Sequence, residues 1–373
     1  MKIATVIGWG HKAGGARRTA VSTLLEMARL CPDNQYVVYS NSIHTQLNNT
    51  AVLQEALKAP SLVPQVIWDQ FLFPHIAVPL AAGKFKPEVI HYTNNIVSCC
   101  GSAPAVVSIY DMSPFVLPKS FIYLHGVYQR AYFRFAVKKA AKIITISENS
   151  KTDICRILKI NEKKIVVIPL AANIAEETGS IDEVTVNLQT RFGITAPFIL
   201  YAGPIHPRKN VGRLIEAYAQ LKMSKGIPHQ LVIAGSLRWK GKEAIQVESL
   251  NKVKEDVIFT GGVTDSDLVN LYKSCDVFVY PSLYEGFGLP VLEAMSLGAA
   301  VVTSNTSSLP EVAGDAAILV NPREVTDVSR GIWKILDEPE FAKQLRKKGM
   351  EQAKQFSWKN TAEKVLKVFE SVV

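Results

Sequence analysis

The chain has 373 residues, room for two or three domains of about 150 residues that can each bury a core. A hydrophobic share of 48% and a charged share of 20% exclude a disordered tail, a collagen or a coiled coil. The net charge is 42 − 33 = +9, and its excess lies in the first half: residues 1 to 172 carry 19 Lys and Arg against 9 Asp and Glu (+10), residues 173 to 373 carry 23 against 24 (−1). So one-sided a field points the first half at phosphate, nucleic acid or an acidic membrane face.

In chain order, the apolar start Met1 to Gly8 breaks at Gly8-Trp9-Gly10-His11-Lys12, which does not read as a signal peptide, and no run of about 18 apolar residues follows. Short apolar runs then alternate with helix-length amphipathic stretches: Ile3–Ile7, Tyr36–Tyr39, Val89–Tyr92, Ala105–Ile109, Ile143–Ile146 and Ile165–Ile168. β-branched runs separated by helices predict a parallel sheet covered on both faces, a doubly wound α/β domain over residues 1 to 172. Residues 173 to 196 turn polar and acidic between Pro169 and Pro197, and read as a linker. A second series, Phe198–Tyr201, Leu231–Ala234, Val257–Phe259, Val277–Tyr280, Ala300–Thr303 and Ala317–Val320, predicts a second doubly wound domain over 197 to 356. Residues 357 to 373 read as a final helix. The five cysteines, Cys31, Cys99, Cys100, Cys155 and Cys275, are odd in number and contain no CxxC, a pattern of reduced thiols in a cytoplasmic protein.

The densest chemical signal runs from Pro281 to Glu293. Two glycines, Gly286 and Gly288, open a tight loop after a strand, and Pro290 stands where a first helical turn accepts it. Free N–H groups at such a helix start hold a phosphate without a side-chain cation. Glu293, one turn in, can accept a ribose diol, and Glu285 sits on the loop nearer a reacting centre. The second signal, Tyr201 to Asn210, also falls between a strand and a helix, so Arg208 and Lys209 project from a strand's carboxyl end, where they can neutralise a diphosphate. The third, Gly8 to Arg17, is not a GxGxxG fingerprint, yet Gly14-Gly15 allows close backbone approach to a ligand.

Together these segments resemble the retaining glycosyltransferases of family GT4, built on the GT-B fold of two Rossmann-like domains facing each other across a cleft. Glu285 to Glu293 matches the E-x7-E motif, Pro207-Arg208-Lys209-Asn210 the R-K-N segment, Gly14-Gly15 the first-domain glycine loop, and Thr145 to Lys151 the usual end-of-strand sequence. The resemblance implies that Arg208 and Lys209 bind the donor diphosphate, Glu293 the ribose and Glu285 the sugar. It also implies that Gly235 and Ser236 line the base pocket, with Phe287, Gly288 and Leu289 completing the donor site, and that the final helix crosses back to the first domain. Where family members carry a His-Asp pair, this chain has Tyr110-Asp111, leaving Asp111 as the acceptor-side polar group. The implied reaction moves a sugar from a nucleotide diphosphosugar, UDP-glucose first and GDP-mannose next, to a glycan or lipid-linked acceptor in polysaccharide biosynthesis. Neither a cofactor nor a metal is implied.

Other patterns have plainer readings. Asp265-Ser266-Asp267 mimics a DxD metal site but opens a helix, which predicts capping. Arg130, Arg134, Lys138 and Lys142 recur every fourth residue among aromatics, predicting one basic helical stripe: either a solvated face or an anionic membrane patch of a peripheral protein. No groove-reading motif accompanies the charge, which argues against nucleic acid. The rival readings are a sugar-nucleotide epimerase on the same fold and a non-catalytic binder of anionic glycan or lipid.

Overall fold

The computed structural model describes residues 1–8, 15–41, 47–48, 50–58, 68–101, 103–121, 123–172, 188–238 and 240–373. The chain divides into two compact units, one of residues 1–118, 122–171 and 357–373, the other of residues 119–121 and 172–356.

The first unit runs β1 (Lys2–Ile7), α1 (Gly15–Leu30), β2 (Gln35–Ser40), β3 (Val52–Ala56), a wide helical turn (Trp68–Ala77) leading into α2 (Val78–Phe85), β4 (Val89–Tyr92), β5 (Ala105–Ser108), α3 (Tyr123–Lys139), β6 (Lys142–Thr145), α4 (Glu148–Leu158) and β7 (Ile165–Val167). Every strand pair is parallel, in the order β3-β2-β1-β4-β5-β6-β7. The runs Ile3–Ile7 and Tyr36–Tyr39 are buried end to end, as expected of strands covered on both faces. β3 is the edge strand that the apolar runs do not reveal: its Val-Leu-Gln-Glu-Ala mixes exposed and half-buried positions.

The second unit runs β8 (Phe198–Ala202), α5 (Val211–Lys225), β9 (Gln230–Ala234), β10 (Val257–Gly261), α6 (Asp265–Ser274), β11 (Val277–Tyr280), α7 (Leu289–Ser296), β12 (Val301–Ser304), β13 (Ile318–Val320), α8 (Val325–Asp337) and α9 (Pro339–Ala353). Its parallel sheet has the order β10-β9-β8-β11-β12-β13. Chain direction across the sheet reverses between β8 and β11, and ligands of open parallel sheets bind outside the carboxyl ends at such a point. Both Arg208-Lys209 and the Pro281–Glu293 loop follow those two strands.

One boundary differs from the sequence reading. Residues 188–196, expected in the linker, belong to the second unit: Leu188 and Ile194 are buried, and Arg191 pairs with the buried Asp267. The last helix, α10 (Trp358–Glu370), belongs to the first unit. Its Ala362, Val365, Leu366, Val368 and Phe369 share a core with Val21, Leu24 and Met27 of α1, and Thr361 Oγ1 donates to the Pro169 carbonyl at 2.8 Å.

Candidate functional site

The loop after β8 turns tightly before α5. His206 caps it, its ring nitrogen accepting from the Arg208 N–H at 3.2 Å, and Asn210 takes the left-handed conformation (φ 61°) that Asn tolerates better than most residues. The Asn210 side-chain amide donates to the Pro281 carbonyl at 3.0 Å and the Pro322 carbonyl at 2.6 Å, fastening this turn to the loop after β11. Leu283 N–H donates to the Arg208 carbonyl at 2.9 Å, a second tie between the two loops.

Through those ties the basic pair meets Glu285. Arg208 Nη1 lies 2.8 Å from Glu285 Oε2, and Lys209 Nζ lies 2.6 Å from Oε1. Ser282 Oγ donates to the same Oε1 at 2.5 Å, and Lys209 Nζ also bonds the Tyr280 hydroxyl. The Glu285 N–H donates to Ser307 Oγ at 3.0 Å, while Ser308 Oγ donates to the Glu285 and Phe287 carbonyls. Glu285 and Lys209 are each 7% exposed. Burial works to raise the Glu285 carboxyl, but the Arg208 and Lys209 charges, with hydrogen bonds from Lys209 and Ser282, lower it to about 2. Burial pushes the Tyr280 phenol well above its ordinary value, so it faces the Lys209 ammonium as a neutral hydroxyl. A buried cluster of one anion and two cations keeps one unit of positive charge, suited to a polyanion.

Lys209 follows the carboxyl end of β8, where the sequence puts it, and β11 supplies the Tyr280 hydroxyl and the Glu285 loop that cover it. Tyr280, Ser282, Ser307 and Ser308 escaped the sequence reading, and Asn210 figures there only as part of the R-K-N segment, without a role. The signal for the first two was their place at the end of β11, immediately before the glycine loop.

The rest of the loop supplies backbone. Gly288 has φ 126°, and a Cβ there would lie 2.8 Å from the Leu309 side chain, so only glycine is comfortable at the entry to α7. Gly288 brings no side chain to cap the helix, whose first turn holds Leu289 and Pro290. Glu293 is half-buried and accepts from the Tyr272 hydroxyl at 3.4 Å. Phe287, expected at the donor, has its side chain buried edge-on against Phe356, with centroids 5.7 Å apart, so it contributes packing. The loops after β8 and β9 lie in backbone contact: a Cβ on Gly235 would fall 1.8 Å from the Gly203 oxygen. Ser236 beyond it is exposed, its carbonyl accepting from Ile205 N–H at 3.0 Å.

The remaining expected residues belong to the first unit. Asp111 follows β5 and its Oδ1 accepts from the Ser113 N–H at 2.8 Å, closing the bend that leads into the short turn Ser113–Val116. Tyr110 is drawn to Ser108, which also bonds His91 Nε2 at 2.8 Å; burial raises the Tyr110 phenol and lowers the His91 imidazole to about 4. Gly15 opens α1 and is exposed; Gly14 lies outside the described residues. The basic stripe is not one helical face. α3 ends at Lys139, because the β-branched run after it forms β6, and Lys142 is a strand residue whose Nζ donates to the Lys163 carbonyl. Arg130 donates to the Pro114 carbonyl at 3.1 Å, and Arg134 lies 5.5 Å from the Phe115 ring centre, so both also serve packing.

Asp267 does cap α6. The Thr264 hydroxyl accepts from its N–H, its Oδ2 accepts from the Thr264 N–H and hydroxyl, and its Oδ1 pairs with Arg191.

Two parallel doubly wound sheets, with a cation pair on a buried carboxylate and a glycine-opened helix start at one switch point, define a GT-B glycosyltransferase architecture. Residues 13–176 match the model for glycosyltransferase family 4, and residues 189–352 the model for glycosyl transferases group 1. The O-antigen chain mannosyltransferase B of Escherichia coli is 34% identical over 265 residues, 71% of this chain and 70% of that protein. The serotype-specific mannosyltransferase WbdA of Escherichia coli is 36% identical over 237 residues, 62% of this chain but 29% of that much longer protein. Among solved structures, Anabaena HepE in complex with UDP-glucose superposes with a TM-score of 0.76 at 18% identity, covering 100% of both chains. Sucrose-phosphate synthase from Thermosynechococcus elongatus gives 0.76 at 20% identity over 99% of this chain and 98% of that one. The chain belongs to glycosyltransferase family 4 and is a hexosyltransferase.

Proposed function

We propose that the chain is a retaining, metal-independent mannosyltransferase that moves mannose from a nucleotide diphosphosugar to a glycan or lipid-linked acceptor in polysaccharide biosynthesis. The convergence of Arg208 and Lys209 on one buried carboxylate carries this reading, because it collects the charge that a departing nucleoside diphosphate needs. Relatives named mannosyltransferases, at 34 and 36% identity, favour a mannose donor and put GDP-mannose ahead of UDP-glucose.

The hard step is cleavage of the bond between the sugar and the diphosphate. Arg208 and Lys209 stabilise the charge developing on the leaving phosphate, and the first-turn amides after Gly288 add donors without cost of reorganisation. Glu285, ionised at any working pH, faces the sugar with a fixed negative charge suited to a cationic transition state. Among the described residues no carboxylate pair offers a nucleophile, so attack from the same face as departure is preferred to a covalent intermediate. Metal independence follows the same logic: cationic side chains stand where a divalent ion otherwise would, and both Asp267 oxygens are occupied by its cap and by Arg191.

Thermal unfolding with GDP, UDP and ADP tests the base, since a ligand at about 100 times its dissociation constant stabilises by about 2.7 kcal/mol. GDP is expected to give the largest shift, with hydrolysis of GDP-mannose exceeding that of UDP-glucose. Equal, negligible shifts by all three would end the donor assignment.

A further inference from the structure

We propose that α3, together with the helical segment from Trp68 through α2, forms a docking face of the first unit for an anionic lipid bilayer. It rests on the glycosyltransferase reading only for its purpose, bringing the protein to a lipid-linked acceptor; the face itself stands on its own residues.

α3 contains no acidic residue in seventeen and ends in Lys138-Lys139. Its inner side, Phe133, Ala136 and Val137, is buried in the first unit's core. Its outer side presents Tyr123, Val127, Ala131 and Phe135, spaced four apart and exposed, with Tyr123 76% open. That spacing makes one longitudinal stripe on a helix. Exposed Arg134 and Lys138 flank Phe135 at the carboxyl end. The neighbouring segment is tied to α3 where His75 Nε2 meets the Tyr132 hydroxyl at 2.8 Å with the rings stacked. It repeats the pattern: Ile76 and Leu80 are exposed one turn apart, Leu80 by 69%, and exposed Lys84 follows one turn later.

Two tethered helices thus each leave large apolar side chains in solvent and place bases beyond them, on the half of the chain that carries the +10. Apolar residues that enter the acyl boundary, with lysines reaching the headgroups, are the chemistry of an anionic membrane surface. An acidic protein would answer the bases but leave Tyr123, Val127, Ile76 and Leu80 without apolar partners.

The test is cosedimentation of the full chain with vesicles of phosphatidylglycerol and phosphatidylcholine, against phosphatidylcholine alone, at two salt concentrations. The chain should pellet with anionic vesicles and release as salt screens the bases. Leu80→Ser/Tyr123→Ser/Val127→Ser should weaken binding at least tenfold, and Lys138→Gln/Lys139→Gln also about tenfold, given roughly a decade or less per base. Both variants alter exposed side chains, so each should keep the wild-type melting temperature and nucleotide-induced shift. Absence of wild-type pelleting, or equal pelleting of wild type and both variants, overturns the proposal. So does a wild-type dimer in sedimentation equilibrium that the triple variant dissociates, since that makes a second copy the occupant. Loss of the nucleotide shift in the wild type would instead strike the catalytic reading and leave vesicle binding untouched.

Discussion

The two units share an all-parallel plan yet handle polarity in opposite ways. The second, with a net charge near zero, gathers a buried Lys209 and a half-buried Arg208 around the buried Glu285. In the first, with its large positive excess, buried His91 and Ser108 and half-buried Tyr110 form an uncharged cluster, and the buried carboxylate of Asp153 pairs with a largely exposed Arg156. Its exposed bases Lys84, Arg134 and Lys138 lie beside the exposed apolar side chains Leu80 and Phe135. Net charge and buried ion pairing are thus concentrated in different halves of this chain.

The strongest way to break that contrast is Lys209→Ala. Removing a buried partner of Glu285 should cost about 3 kcal/mol of stability and lower turnover about 10²-fold or more, read by urea unfolding and by sugar transfer. Arg208→Ala should lose as much turnover with a smaller stability cost, because Arg208 is the more exposed cation. Wild-type turnover in either would remove that residue from the reaction.

Acid should separate the units next. A buried neutral His91 binds fewer protons than the same side chain unfolded, so its contribution is complete above about 6.5 and is lost as pH falls from there toward about 4, on the order of 3 kcal/mol. Glu285 is depressed instead, from 4.5 to about 2, so its contribution is complete above 4.5 and lost only as pH falls below that. Hydrogen exchange at pH 5 should find β4 and β5 losing protection while β11 keeps it. Simultaneous loss in both sheets would contradict the assignment.

Glu285→Gln sharpens the same comparison from the ligand side. The carboxylate competes with a diphosphate for Arg208 and Lys209, so the variant should bind nucleoside diphosphate roughly tenfold more tightly while transferring sugar more slowly. Calorimetry showing unchanged or weaker binding would mean that the carboxylate and the phosphate do not share these cations. The smallest effect is expected at the cap: Thr264→Ala should cost about 1 kcal/mol and leave transfer in EDTA unchanged. Activity that disappears in chelator and returns with Mg²⁺ would make Asp265-Ser266-Asp267 more than a cap.

Much of this was legible in the sequence because buried parallel strands announce themselves. Ile3–Ile7 and Val277–Tyr280 are near-continuous β-branched or aromatic runs, and each appears as a strand. β3 was not legible, since an edge strand with Gln54 and Glu55 lacks that run. The basic stripe misled because a spacing of four continues to Lys142 on paper, while Ile143 and Ile144 had already claimed the chain for β6. Within the site, Arg208, Lys209 and Glu285 were recognisable one by one from strand ends and glycines. That they bond to one another through Asn210, Ser282 and Tyr280 depends on contacts between residues about 75 positions apart, which no local pattern encodes.

The return of α10 to the first unit gives the chain an unusual order of completion. The second unit is built almost entirely from one continuous stretch that ends at residue 356. The first begins earlier but lacks a wall of its core until Phe369 reaches His91, 5.4 Å between ring centres, and Val365 and Leu366 reach α1. The amino-terminal unit should therefore be the later of the two to complete, the reverse of the usual amino-to-carboxyl order. A chain stopped at residue 356 should keep the protected amides of β8 to β13 and lose those of β1 and β2, so that damage at the carboxyl terminus is felt at the amino-terminal sheet. Persistence of β1 protection in that truncated chain would show that the first unit closes without its last helix.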